Sequence, residues 1–195
     1  RHSSSFGAKG QCPWPPNSVF LAAAACEDAA GPSVGRRGGI MVLECIVSGV
    51  VATLFLDLWQ QVLKAATGLP ASNWGLVGRW FAGAAKGEFF RGPVAQKPPV
   101  ANEVAIGWAG HYATGIAYGF VYVTLMRHGL GIEPSLLNGL AFGAASVVVP
   151  WFFFMPAMGA GVMARNAPKP LIPCLQSFAS HVAFGLGLAA GAMAI

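Results

Sequence analysis

Three ionisable side chains, Asp57, His111 and His181, stand inside otherwise apolar runs of the chain. A carboxylate with two imidazoles can relay protons, since imidazole titrates near neutrality, and it can ligate Zn²⁺ or Fe²⁺. The same groups also serve as hydrogen bonds between packed helices, because an ionisable group held away from water needs a partner or a wet cavity. Their spacing matches no metal-site signature. A HExxH motif, a paired-carboxylate motif and an evident nucleophile are all missing from the sequence, so it specifies no reaction and no cofactor.

The elements that carry these residues follow from hydropathy. Of the 195 residues, 55% are hydrophobic and 10% are charged, against about a quarter charged in soluble domains. That excess of apolar surface calls for a lipid bilayer as its partner. The net charge of +5 comes from Lys and Arg scattered between apolar segments, with no basic run interleaved with aromatics, which argues against nucleic acid. Four apolar runs of about 20 residues, near 42–63, 104–126, 136–158 and 175–195, are each long enough to cross roughly 30 Å of hydrocarbon as a helix. The expected fold is an all-α membrane protein, a four-helix transmembrane bundle over residues 41–195.

Lys64, Arg79, Lys86, Arg91 and Lys97 fall between spans one and two, and Arg165 and Lys169 between spans three and four, whereas the opposite side has Arg127 in its short loop. The positive-inside rule places loops 64–103 and 159–174 in the cytoplasm of a bacterial inner membrane. Trp74, Arg79 and Trp80 in the first of these loops mix aromatic and basic character, as expected of a segment in the membrane interface. Glu44 reads as an interfacial anchor at the outer end of span one. Pro150 and Pro156 remove two backbone donors and predict a kink in the inner half of span three, beside Met155 and Met158. The glycines on spans two and four, Gly107, Gly110, Gly115, Gly119, Gly185, Gly187 and Gly191, read as surfaces for close helix packing. The four cysteines show no CxxC pair, and Cys45 and Cys174 lie at opposite ends of their spans, out of reach of a disulfide.

Residues 1–40 differ from the rest, mixing Ser, Gly, Pro and Ala without a sustained period. Arg36-Arg37-Gly38-Gly39 before Met41 is what a purine-rich ribosome-binding sequence yields when translated. Two expectations stand for this stretch, a non-native upstream translation or a disordered tail, and both expect it to be poorly packed.

Depth ties the three polar residues together. Asp57 is seven residues before Lys64, His111 eight after Glu103 and His181 eight after Pro173, so all three lie roughly 10 to 12 Å inside the same boundary. The stretch Trp108-Ala-Gly-His111-Tyr-Ala-Thr-Gly115-Ile116 also matches Phe178-Ala-Ser-His181-Val-Ala-Phe-Gly185-Leu186, with four of nine positions identical. Spans two and four run in the same direction, so the match suggests two duplicated helical hairpins.

From Met41 onward the chain resembles DUF2938, a family of bacterial multi-pass membrane proteins of unknown function. The resemblance rests on Ala52-Thr53 with Asp57-Leu58-Trp59, Gly78-Arg79-Trp80, Gly107-Trp108 with His111-Tyr112, Met155-Pro156-Ala157-Met158-Gly159 with Gly161, and Ser177 with His181 and Phe184-Gly185-Leu186-Gly187. It implies the topology and no activity. Three functions stay open: a small transporter or channel component, which with four helices implies a homo-oligomer; a structural or accessory subunit binding partner membrane helices; and a membrane enzyme or metal-binding protein using Asp57, His111 and His181.

Overall fold

The computed structural model describes residues 33–90 and 92–195, so the expectation for residues 1–40 falls mostly outside the described residues. The chain divides into two units, 1–39 and 40–195. Among the described residues every regular element is helical: α1 (Ser33–Thr67), α2 (Trp74–Ala84), α3 (Glu103–Thr124), α4 (Leu136–Ser146), α5 (Met155–Ala157) and α6 (Leu171–Met193). A 3₁₀ turn at Val94–Gln96 follows α2 and another at Val162–Ala164 precedes α6. Wider π-helical turns occupy Leu125–Leu130 and Pro150–Phe154.

Three helical stretches among the described residues are long and apolar enough to cross a membrane: Gly38–Thr67, Leu136–Ala157 and Leu171–Met193. Helix α3 is 22 residues long, but Trp108, His111, Tyr112, Tyr118 and Tyr122 dilute its hydropathy. The outward faces of the three apolar stretches present residues such as Leu54, Leu58, Leu137, Val148 and Leu175 to the surroundings. Large exposed aliphatic side chains on this scale are what lipid covers, because contact with water would cost about 25 cal/mol per Å² of apolar surface.

Glycine lets these helices approach backbone to backbone. All seven glycines expected to pack do so, and a Cβ on any of them would overlap a neighbour. Gly115 meets Thr53 and the Gly49 carbonyl of α1, and Gly119 meets the Cys45 carbonyl one turn along. Gly185 of α6 meets Gly139 and Gly143 of α4, and Gly187 and Gly191 fit against Ala52 and Ser48 of α1. Ser48 seals the last contact by donating from Oγ to the Leu188 carbonyl at 2.8 Å. The core between these helices holds Tyr122, Val123, Phe184 and Leu188. Cys45 and Cys174 are free thiols, both buried.

The first loop is more structured than an interfacial segment requires. Asn73 caps α2, its side chain accepting from the Gly75 and Leu76 N–H groups, and the helix then docks along α3. Gly78 lies against the Glu103 carbonyl and Gly107 against the Trp74 carbonyl, while the Phe81 ring covers Gly110. Arg79 locks the crossing with a two-pronged bond to Glu103, Nε to Oε2 and Nη2 to Oε1, both 2.9 Å, and its Nη1 donates to the Lys97 carbonyl at 2.6 Å. Such forked charge-assisted bonds fix orientation as well as distance. The fork holds the Glu103 carboxyl below the usual carboxylate range and pushes the Arg79 guanidinium up. At the other end of the helices, Glu44 is buried and accepts from Arg127 Nε at 3.0 Å and Nη2 at 2.9 Å, and Arg127 also reaches Glu133. Glu44 is therefore the buried half of an ion pair.

Candidate functional site

Asp57 on α1 and His111 on α3 meet side chain to side chain. His111 Nε2 lies 2.9 Å from Asp57 Oδ1, and Tyr112 Oη donates to Asp57 Oδ2 at 3.4 Å. A carboxylate can only accept, so Nε2 carries the proton it shares, and in the uncharged ring the lone pair then sits on Nδ1. The Trp74 ring lies over the imidazole with centroids 4.0 Å apart and planes 31° apart. Trp74 thus faces His111, and Trp80, expected at the membrane interface, is buried among Phe81, Phe153 and Phe154.

His181 on α6 has a different partner. Its Nδ1 is 2.8 Å from Ser146 Oγ, and the same hydroxyl donates to the Gly143 carbonyl at 2.7 Å. The hydroxyl has one proton and the carbonyl can only accept, so His181 Nδ1–H must be the donor to Ser146. Its lone-pair nitrogen is Nε2. The two histidines are thereby fixed in opposite tautomers by their neighbours, a carboxylate for one and a serine for the other.

Both rings line a cavity of about 370 Å³, with a smaller adjoining space of about 100 Å³ that also touches both, together with Thr114 and Tyr118. Its walls come from α1, α2, α3, α6 and the Pro150–Phe154 turn. That turn is where the expected proline effect is felt. Met155 donates its N–H to the Pro150 carbonyl five residues back, so the helix widens there, and Pro150, Phe154, Met155 and Met158 face the cavity. A widened turn of this kind often accompanies a functional site.

One side of the cavity is bounded by residues 70–72. Gln60 Oε1 accepts from the Ser72 N–H at 2.7 Å, and Gln176 Nε2 donates to the Pro70 carbonyl at 3.0 Å. Sequence reasoning passed over both glutamines. The signal for them was weak: each is a polar residue close to one end of a long apolar helix, facing a short Pro-containing loop.

The structure brings Asp57 to His111 but leaves His181 with Ser146. Among the described residues no group of three or more His, Cys, Asp or Glu is placed to hold a metal ion, so Asp57, His111 and His181 do not converge into the three-ligand site weighed from the sequence. Two histidines on one cavity, with only one of them backed by a carboxylate, is the arrangement that replaces it.

The family described as "Protein of unknown function (DUF2938)" matches residues 46–195. The chain belongs to the DUF2938 family. The matched region takes in every described residue that lines the cavity, with Asp57, His111 and His181 all inside it. No curated protein and no solved structure matches the chain.

Proposed function

We propose that this DUF2938 protein is a four-span protein of the bacterial inner membrane that binds a small solute in the His111–His181 cavity and carries it across the bilayer. The observation that supports this reading is the cavity itself: an internal space between helices, lined by polar and aromatic groups and bordered by a widened, proline-containing turn. A helix interrupted there has carbonyls released from regular bonding, which can turn toward a passing solute.

The fourth span in this reading is α3, whose 22 residues reach about 33 Å, enough for the hydrocarbon core. The basic loops 64–103 and 159–174 then face the cytoplasm, where residues 70–72 border the cavity. A duplicated origin for the two hairpins is supported by their contacts. Gly115 of α3 meets Gly49 and Thr53 of α1, and Gly185 of α6 meets Gly139 and Gly143 of α4. The offset is 70 residues between the later helices and 90 between the earlier ones. The same offsets carry the neighbouring contact of Gly119 with Gly49 onto that of Ala189 with Gly139. A homo-oligomer would thicken the wall around such a pathway.

Proteoliposome uptake tests the proposal, with choline, mannitol and gluconate as cationic, neutral and anionic impermeant solutes. Uptake of at least one above protein-free vesicles, abolished by the cavity-filling Thr114→Trp, is expected. Uptake of all three at the protein-free rate would count against it.

One observation favours a second reading, a membrane enzyme. A carboxylate holding an imidazole in one tautomer is the geometry of a general base. Turnover of a cavity-sized solute by purified protein, lost in His111→Gln, would support that reading over transport.

A further inference from the structure

Among the described residues, the lining of the cavity contains no Lys, Arg, Asp or Glu. The charge tied to it is that of Asp57, one hydrogen bond behind His111. Each histidine is left with a lone-pair nitrogen once its other nitrogen is committed, His111 to Asp57 and His181 to Ser146. Around them stand the rings of Trp74, Trp80, Phe81 and Phe154 and the polarisable thioethers of Met155 and Met158. Acceptor nitrogens, aromatic faces and a negative charge all attract positive charge and hydrogen-bond donors. No permanently charged cation among the described lining residues would neutralise an anion.

From this we propose that the cavity selects a small organic cation, a protonated amine carrying an apolar body. The inference rests on the solute-binding reading above and names the chemistry of its ligand. The ammonium N–H groups donate to the imidazole lone pairs, and the apolar body lies against the aromatic rings. Asp57 supplies the counter-charge through His111, so that its effect is electrostatic and reaches the ligand without direct contact. A metal cation is the poorer match, since no third His, Cys, Asp or Glu among the described residues joins the two imidazoles and the walls are mostly apolar.

The test uses three probes of one size and different charge, benzylammonium, benzyl alcohol and benzoate, titrated into the full-length protein in detergent at neutral pH and followed by calorimetry. Thr114→Trp, which fills the cavity, separates site binding from partition into detergent. Benzylammonium is expected to bind about tenfold or more tighter than benzyl alcohol, with benzoate not binding. Asp57→Asn keeps an acceptor for His111 but loses the charge, and should weaken benzylammonium about tenfold while leaving benzyl alcohol unchanged. Asp57→Glu should restore the preference if the charge is what matters. Equal binding of benzyl alcohol and benzylammonium would overturn the cation preference while leaving the cavity a solute site. Benzoate binding as tightly as benzylammonium, no binding of benzylammonium, or an Asp57→Asn protein with unchanged affinity would each overturn the inference. Circular dichroism and gel-filtration profiles matching wild type ensure that a loss of binding is not a loss of fold.

Discussion

Asp57 and His111, 54 residues apart in the chain, sit 2.9 Å from one another across the α1–α3 contact. The side chains are 20% and 12% exposed respectively, so each shields the other's polar atoms from an apolar surrounding. Replacing Asp57 by Leu leaves the His111 N–H without an acceptor and should cost about 1–3 kcal/mol of stability. Asp57→Asn, which can still accept, should cost less than half as much. Thermal unfolding of the two variants in the same detergent checks the difference.

The Gly107 contact makes a sharper prediction about assembly. A methyl group there collides with the Trp74 carbonyl, a backbone atom that cannot rotate away. Gly107→Ala should therefore push α2 off α3 and lift Trp74 from the His111 ring, seen as a change in tryptophan emission together with a fall in melting temperature. Gly38→Ala is the control. A Cβ at Gly38 meets nothing within 4 Å, and the change should be neutral or mildly stabilising in a helix.

Acid should weaken the same crossing. The Glu103 carboxyl is held below its ordinary range by Arg79, so its contribution is fully present above the unfolded-state carboxylate pKa, near 4.3. It is lost as pH falls through the lower folded-state value. Melting temperature followed from pH 7 down to about 3 should show an acid limb that flattens in Arg79→Ala. Arg79→Lys should recover only part of it, because an ammonium cannot form the fork.

At the opposite end of the helices from Arg79, Arg127→Ala removes the partner of buried Glu44 and should destabilise by about 3 kcal/mol, mostly the cost of an uncompensated carboxylate. Glu44→Gln in the same background should return much of that loss. A double-mutant cycle by chemical unfolding gives the coupling, and a cycle with no coupling would show the pair to be incidental.

Residue order along the chain revealed the long apolar helices and the packing glycines, because each depends on spacing within one helix. What it could not reveal were partners chosen across helices. His181 turned to Ser146, which the α4–α6 contact through Gly139, Gly143 and Gly185 brings within 2.8 Å. Glu44 and Arg127 were each noticed singly. They stand 83 residues apart, on elements whose pairing no local pattern encodes. Arg79 and Glu103 were hidden because the first loop gave no sign that it folds back as a helix along α3, although Gly78 and Gly107 were there to permit it. The cavity, finally, depends on the widened turn at Pro150, whose direction no local pattern encodes.

Solute uptake into proteoliposomes measures the central claim most directly, comparing wild type with Thr114→Trp in vesicles of equal protein content. The account predicts uptake of at least one of choline, mannitol and gluconate above the protein-free rate in wild type and uptake at the protein-free rate in Thr114→Trp. If choline, mannitol and gluconate all enter wild-type vesicles no faster than protein-free ones, the claim that this cavity carries a solute is contradicted.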